Sequence, residues 1–416
     1  MTKQKQFDYT LIEVMVAAAL GVLLLGIVVT IYLGSKSTFR AAEGLARSQE
    51  STRFAMHFLK RDIRGSGYQG CSKGVSRRNF MNDQLDNFPL SEDNAIFGWE
   101  FNGTEYGDNY DLEYTELDSP FTQAELTDAR DDNSVAGTNW VGRYIEITGD
   151  APINKNLPAA ITALRPLLGS DIISVTSSEV VPNLKVGLQT NSGNPVFETI
   201  DENEDDRESG VETGTIVKIS DCSASDTFQN AAAADEESLS ALPGAGVPGN
   251  LLTGAFKWQK KWDKNAEVYR SITKIYFIGT GAGGKPSLYV YESDCGIGGD
   301  CGTTSELIEG VENMQILYGE DTVAPDENSA NANLDQDERE DLDGVVDSYF
   351  SANDVTDFRN VLDVKIGLLV RSPDAALDLA DNPSYTLLNQ IEITPPNDRR
   401  QRFVNNATVR LHNRGL

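Results

Sequence analysis

The chain has 416 residues, 39% of them hydrophobic, which is enough for a sizeable packed core and long enough for two or three domains. Its 64 Asp and Glu outweigh 35 Lys and Arg, and the net charge of −29 argues against a nucleic-acid partner, whose phosphates need a basic surface. The four cysteines, Cys71, Cys222, Cys295 and Cys301, contain no Cys-x-x-Cys pair and stand beside only two histidines, His57 and His412, so they point to disulfides in an oxidising compartment rather than to zinc.

In chain order, the first element is the most legible. Val14 to Leu33 is a run of twenty uncharged, mostly apolar residues. As a helix it spans about 30 Å, the hydrocarbon thickness of a bilayer. Lys3 and Lys5 give it a basic lead, but it is longer than a signal-peptide core and has no small-x-small exit. The helical pattern continues past Gly34. Thr52, Ala55, Met56, Leu59 and Ile63 fall on one side, and Arg47, Glu50, Arg53, Lys60 and Arg61 on the other. Gly65-Ser66-Gly67 stops it. The pattern predicts one helix of about fifty residues, roughly 75 Å long. Cations flank the apolar run on both sides (Lys36, Arg40, Arg47 and Arg53 follow it), so charge does not orient it. The cysteines do, by placing the large domain outside the cytoplasm. Glu13, at the edge of the run, is either an interfacial residue reaching the headgroups or a charge held for pairing with a partner in an assembly.

Beyond the helix, strand signals recur at Trp140 to Thr148, Gly214 to Ser220, Ile272 to Ile278, Ser287 to Tyr291, Val361 to Val370, Gln390 to Ile393 and Phe403 to Leu411. Leu307 to Leu317 fits a strand or a short helix. Gly279-Thr280-Gly281-Ala282-Gly283-Gly284 reads as a hairpin turn, because neither a helix pattern nor a Lys-Ser pair follows to make a phosphate loop. Residues 71–139 and 221–256 read as insertions or irregular cover. The predicted class is α+β, a long transmembrane and amphipathic helix packed on antiparallel sheet with long acidic loops. The expected division is a leader at 1–8, a hydrophobic helix at 9–34, its amphipathic continuation at 35–66 and a β-rich domain at 67–416.

Cys295 and Cys301 bracket a flexible GIGGD and suit local closure, which leaves Cys71 with Cys222 by elimination; sequence does not fix the connectivity. Asp341, Asp343 and Asp347 around Gly344 have two readings, a calcium loop or a solvated acidic loop. Calcium loops place carboxylates at alternate positions about a glycine, but Arg339 and Phe350 stand at the first and last ligand positions. No other cofactor is expected. No catalytic constellation is visible, since His57 lies on the long helix and His412 near the C-terminus, and the chain reads as a non-enzyme.

The string Tyr9-Thr10-Leu11-Ile12-Glu13-Val14-Met15-Val16-Ala17 resembles the type IV prepilin signature. The resemblance implies cleavage by a prepilin peptidase between Asp8 and Tyr9, N-methylation of Tyr9, and pairing of Glu13 with an N-terminal amine in the filament. One position departs: Asp8 stands where the family has Gly, and an uncut chain would keep Lys3 and Lys5 in the cytoplasm. Arg53 to Arg64, Gly67 to Cys71, Leu307 to Gln315, Tyr318-Gly319, Val364 to Ser372 and Arg402 to Arg414 are similar to PilW-type minor pilins. That family implies a pilin-like fold and a subunit of the complex that primes pilus assembly and sits at the tip. Its partners would be other minor pilins, the major pilin, the prepilin peptidase, inner-membrane lipid and a tip adhesin. The expected location is the inner membrane, single-pass, with a periplasmic domain. Gly21 and Gly26 would let neighbouring helices approach, or are ordinary membrane-helix glycines. Two alternatives stand beside this: a type II secretion pseudopilin, which shares the N-terminal pattern, and an uncut, membrane-anchored periplasmic binding protein, which Asp8 favours.

Overall fold

The computed structural model describes residues 10–68, 70, 76–81, 95–112, 140–144, 153–189, 193–221, 223–243, 246, 248–251, 257–281, 283–295, 301–322, 344–375 and 383–413. The expected helix is one unbroken element, α1 (Leu11–Gly65). Thr10 caps it, and Glu13 closes a capping box: its carboxylate accepts from Thr10 N at 2.9 Å and from Thr10 Oγ1 at 2.8 Å. Burial along α1 takes in Thr52, Ala55, Met56, Leu59 and Ile63, the face that the periodicity predicts, and extends back along it to Ser48 and Gly44. Gly44, Ser48 and Thr52 are small, so the backbone approaches the sheet closely. Full burial of each large member contributes about 1.5–3 kcal/mol. The helix ends where Gly67 turns the chain at φ +72 and its N–H donates to Thr176 O. The end of the chain returns to cap it, with Asn413 Nδ2 donating to the carbonyls of Gly65 and Ser66.

The first strands are β1 (Ser76–Asn79), β2 (Ile96–Phe101), β3 (Asn109–Asp111), β4 (Trp140–Tyr144) and β5 (Ile153–Asn156), followed by one helical turn, α2 (Ala159–Thr162). Next come β6 (Ile172–Val186), β7 (Val196–Ile200), β8 (Ile216–Asp221), β9 (Ala224–Gln229) and β10 (Ser238–Ser240). The remainder are β11 (Glu267–Thr280), β12 (Pro286–Ser293), β13 (Thr303–Glu309), β14 (Val311–Glu320), β15 (Ser348–Phe350), β16 (Val361–Ala375), β17 (Tyr385–Leu387), β18 (Ile391–Thr394) and β19 (Arg400–Arg410). Twelve strands join one sheet whose main path is β1-β9-β8-β11-β6-β2-β4-β5, a second sheet runs β15-β14-β16-β19, and a third runs β17-β18-β3. Pairing is antiparallel except β1 with β9 and β18 with β3. The α+β expectation therefore holds at the level of a long helix and a large antiparallel β domain.

Two long strands organise the domain. β11 pairs with β6 along most of its length, while its other edge takes β8 at Glu267–Arg270 and β12 at Thr273–Thr280. Each end of this ribbon carries its own core. One packs α1 and α2 against β2, β6, β11, β12, β14 and β16, with Phe97, Trp99, Trp140, Tyr318 and Phe358 at its centre. The other gathers Phe80, Phe197, Phe228 and Trp258 edge to face, with the Trp258 ring centroid 5.2–5.5 Å from each of the three phenylalanines.

Several readings change. Leu307 to Leu317 is neither a single strand nor a helix: Gly310 at φ +92 splits it into β13 and β14. The two stretches expected to be irregular cover each hold a fully buried strand, β2 and β9. β9 reads ASDTFQ, polar by composition, yet Asp226 is buried because its carboxylate accepts from Trp262 Nε1 at 2.8 Å and Gln259 N at 3.0 Å. β6, one of the two longest strands, shows no alternation because it is paired on both edges and buried over its first half. The glycine-rich hairpin turn is confirmed between β11 and β12.

Candidate assembly interface

The apolar half of α1 touches nothing. None of its most apolar 18-residue window is buried, and the helix is long and apolar enough to cross a membrane. Leu11, Val22, Ile31 and Tyr32 stand more than 60% exposed, on different sides of the helix. A face open all round needs lipid or other helices to cover it. At its start, Glu13 is committed to the capping box with Thr10, so partner pairing would have to compete with that contact. Asp8 and Tyr9 lie outside the described residues.

The second half of α1 is locked to the sheet. It packs chiefly across β16 and β19. A polar staple adds direction: Asp62 accepts from Arg61 Nε at 2.6 Å and Tyr276 Oη at 2.5 Å, with Lys274 Nζ at 3.3 Å. Burial alone would raise the Asp62 carboxyl, but the bonds from Arg61 and Tyr276 and the charge of Lys274 hold it below its ordinary value. Tyr276→Phe is expected to cost about 1–2 kcal/mol in chemical denaturation, since one charged hydrogen bond is lost and two partners remain. An unchanged midpoint would show that apolar packing alone fixes the helix.

A second network holds the sheet that α1 covers. Arg402 on β19 reaches Glu312 on β14 with Nε at 2.7 Å and Nη2 at 3.0 Å, and reaches Asp398 with Nη1 and Nη2 at 2.8 Å. Arg371 on β16 lies 3.7 Å from Glu312 and 3.6 Å from Asp398. All four side chains are at most 6% exposed. Arg400, at the start of β19, adds a third guanidinium 3.5 Å from Asp398, so the two carboxylates are neutralised across three strands. Sequence reasoning did not single these residues out. The available signal was a charge closing an otherwise apolar run, as Arg371 closes VKIGLLV.

The other predicted sites divide. Cys295 and Cys301 form a disulfide, whose short loop contributes about 2 kcal/mol in the chain-entropy model. Cys71, Cys222, Asp341 and Asp343 lie outside the described residues. Asp347 Oδ2 accepts from Thr322 N at 2.8 Å and Thr322 Oγ1 at 3.0 Å, while Gly344, at φ +76, donates to Asp321 Oδ2 at 2.7 Å. No cluster of three or more His, Cys, Asp or Glu suited to a metal occurs among the described residues. His57 and His412 are both exposed, the first on the free side of α1 and the second at the chain's end.

No curated protein matches the chain, and no solved structure does. Residues 275–413, the stretch that contains Tyr276, Glu312, Arg371 and Arg402, match the family model described as Type IV Pilus-assembly protein W, so this part of the chain is PilW-like.

Proposed function

We propose that this chain is a minor pilin, a structural subunit tethered in the inner membrane by α1 and carrying a pilin-like periplasmic domain. One observation carries the reading: a single 55-residue helix is bare over its apolar half and bound to the PilW-matching sheet over its other half. A rod built that way offers its free half to lipid in the membrane and to neighbouring helices in a filament, without disturbing its own domain. On this reading it joins other minor pilins, the major pilin and a tip adhesin in the complex that primes assembly. Prepilin peptidase cuts after Asp8, Tyr9 becomes the methylated N-terminus, and Glu13 exchanges its Thr10 contacts for a partner amine.

Mass spectrometry of the N-terminus of protein from its native membrane tests this. A chain beginning at N-methylated Tyr9 is expected. An intact leader would favour the membrane-anchored binding protein, to which Asp8 points. Deletion is expected to remove piliation and twitching; lost secretion with pili intact would indicate a pseudopilin instead. The acidic loop works on this reading without calcium, so chelation should leave Tm unchanged within about a degree, and a larger fall would place an ion there.

A further inference from the structure

Between the apolar run and the sheet, α1 has a mostly exposed stretch with its own chemistry, whose far end, at Arg40 and Glu43, borders an open cleft against Pro373, Asp374 and Ala375. Leu33 ends the run and Gly44 is the first buried position. The intervening ten or so residues make about 15 Å of helix, while the headgroup layer beyond a bilayer's hydrocarbon is about 5–8 Å deep. Lys36, Phe39 and Arg40 sit there at i, i+3 and i+4, on one side of the helix. Phe39 is 68% exposed. Neither Lys36 nor Arg40 has an ion pair or hydrogen bond among the described residues, whereas Arg47, two turns on, is held by Glu43 at 2.7 Å. Helical side chains lean toward the N-terminus, here toward the membrane, so both cations reach back to the headgroups. The whole chain carries −29, and an acidic domain close to an anionic surface is repelled by it. Two unpaired cations at the membrane edge offset that repulsion where it is strongest.

We propose that Lys36, Phe39 and Arg40 form a collar that binds anionic phospholipid headgroups on the domain's side of the membrane, with Phe39 leaning back into the headgroup layer. The inference rests on the reading of Val14 to Leu33 as a membrane span. Attraction to an anionic surface is worth about fivefold in affinity per cation and weakens with salt.

The test uses the full chain in nanodiscs of equal phosphatidylglycerol and phosphatidylcholine, ejected into a native mass spectrometer. Retained lipid is expected to favour phosphatidylglycerol by about fivefold or more at low salt. Lys36→Gln with Arg40→Gln should bring the ratio near one, and Arg53→Gln, farther along the helix, should leave it unchanged. Equal retention by wild-type protein, or the same preference in the double variant, overturns the collar. Loss of the preference when inorganic phosphate is added at constant ionic strength also overturns it, by revealing a site for a small free anion. Failure of the span is seen separately, because the chain would then leave the bilayer in an alkaline carbonate wash.

Discussion

Arg402→Ala is expected to lower the unfolding free energy by roughly 3–5 kcal/mol, the cost of breaking a buried ionic group by removing one partner. Arg402 makes two paired contacts, one to each carboxylate, at 2.7–3.0 Å. Without it, Glu312 keeps only the looser contact of Arg371 at 3.7 Å, and Asp398 those of Arg371 at 3.6 Å and Arg400 at 3.5 Å. Four short charge-assisted hydrogen bonds are lost, and the buried carboxylates are left with longer contacts only. Arg402→Lys keeps the charge but offers a point donor in place of a planar fork, and should recover about half of the loss. The readout is tryptophan fluorescence during chemical denaturation of the full chain in detergent, since Trp99, Trp140, Trp258 and Trp262 are all fully buried. A loss under about 1 kcal/mol would mean that the network contributes little beyond the packing around it. The three strands it joins carry the segments that resemble the family: Glu312 lies in LIEGVENMQ, Arg371 in VKIGLLVRS, and Arg402 opens the C-terminal stretch.

Stability is also expected to fall as pH rises from about 4 through 7 and beyond, on the order of 2–4 kcal/mol, because of one acid pair. Glu100 on β2 and Asp171, just before β6, are neighbouring acids and both 2% exposed. Asp171 accepts from Phe101 N at 3.2 Å and Ile316 N at 2.8 Å, so β2 and β14 both depend on it. Burial pushes Asp171 up to about 7, against the pull of those two N–H groups. Burial first, and then the nearby Asp171 charge, push Glu100 well above its ordinary value. Since both folded pKa values exceed the unfolded ones, the folded state holds the extra protons. Their contribution is complete below about pH 4 and is lost as pH climbs through the folded values. Asp62 and Asp221 act oppositely. Asp62 is held low by its donors, and Asp221, although burial would raise it, is brought down to about 2 by Lys260, Ser223 and Ala224 N–H. Their contribution is present above about pH 4 and is lost on further acidification. Mildly acidic pH should therefore be most stabilising. Glu100→Gln keeps the side chain's size and cannot ionise, so its advantage over wild type should grow with pH. Parallel pH profiles for the two proteins would remove the pair from the explanation.

Whatever was local was legible. The apolar run, the buried face of α1 and its glycine stop follow from composition and from a 3.6-residue period, and a hairpin needs only two strand signals around a glycine turn. Glu13 was visible as a charge at the edge of the apolar run, but its engagement with Thr10 depends on where the helix begins. The buried polar strands were not legible. β9 presents Ser225, Asp226 and Thr227, which read as a loop until Trp262 and Gln259 arrive from more than thirty residues away to satisfy Asp226.

The sequence by itself determined a single rod with an apolar half and a two-faced half, attached to an acidic antiparallel β domain. Periodicity and charge are properties of neighbouring residues, so they survive without coordinates. Only the tertiary structure decided that β6 and β11 form a ribbon through two cores, that Tyr276 and Lys274 staple Asp62 to the sheet, and that Glu312, Arg371, Asp398 and Arg402 neutralise one another. Those pairings depend on strand register across tens to hundreds of residues, and a charge becomes a structural element only when its partner is brought within hydrogen-bonding reach in a site that water has left.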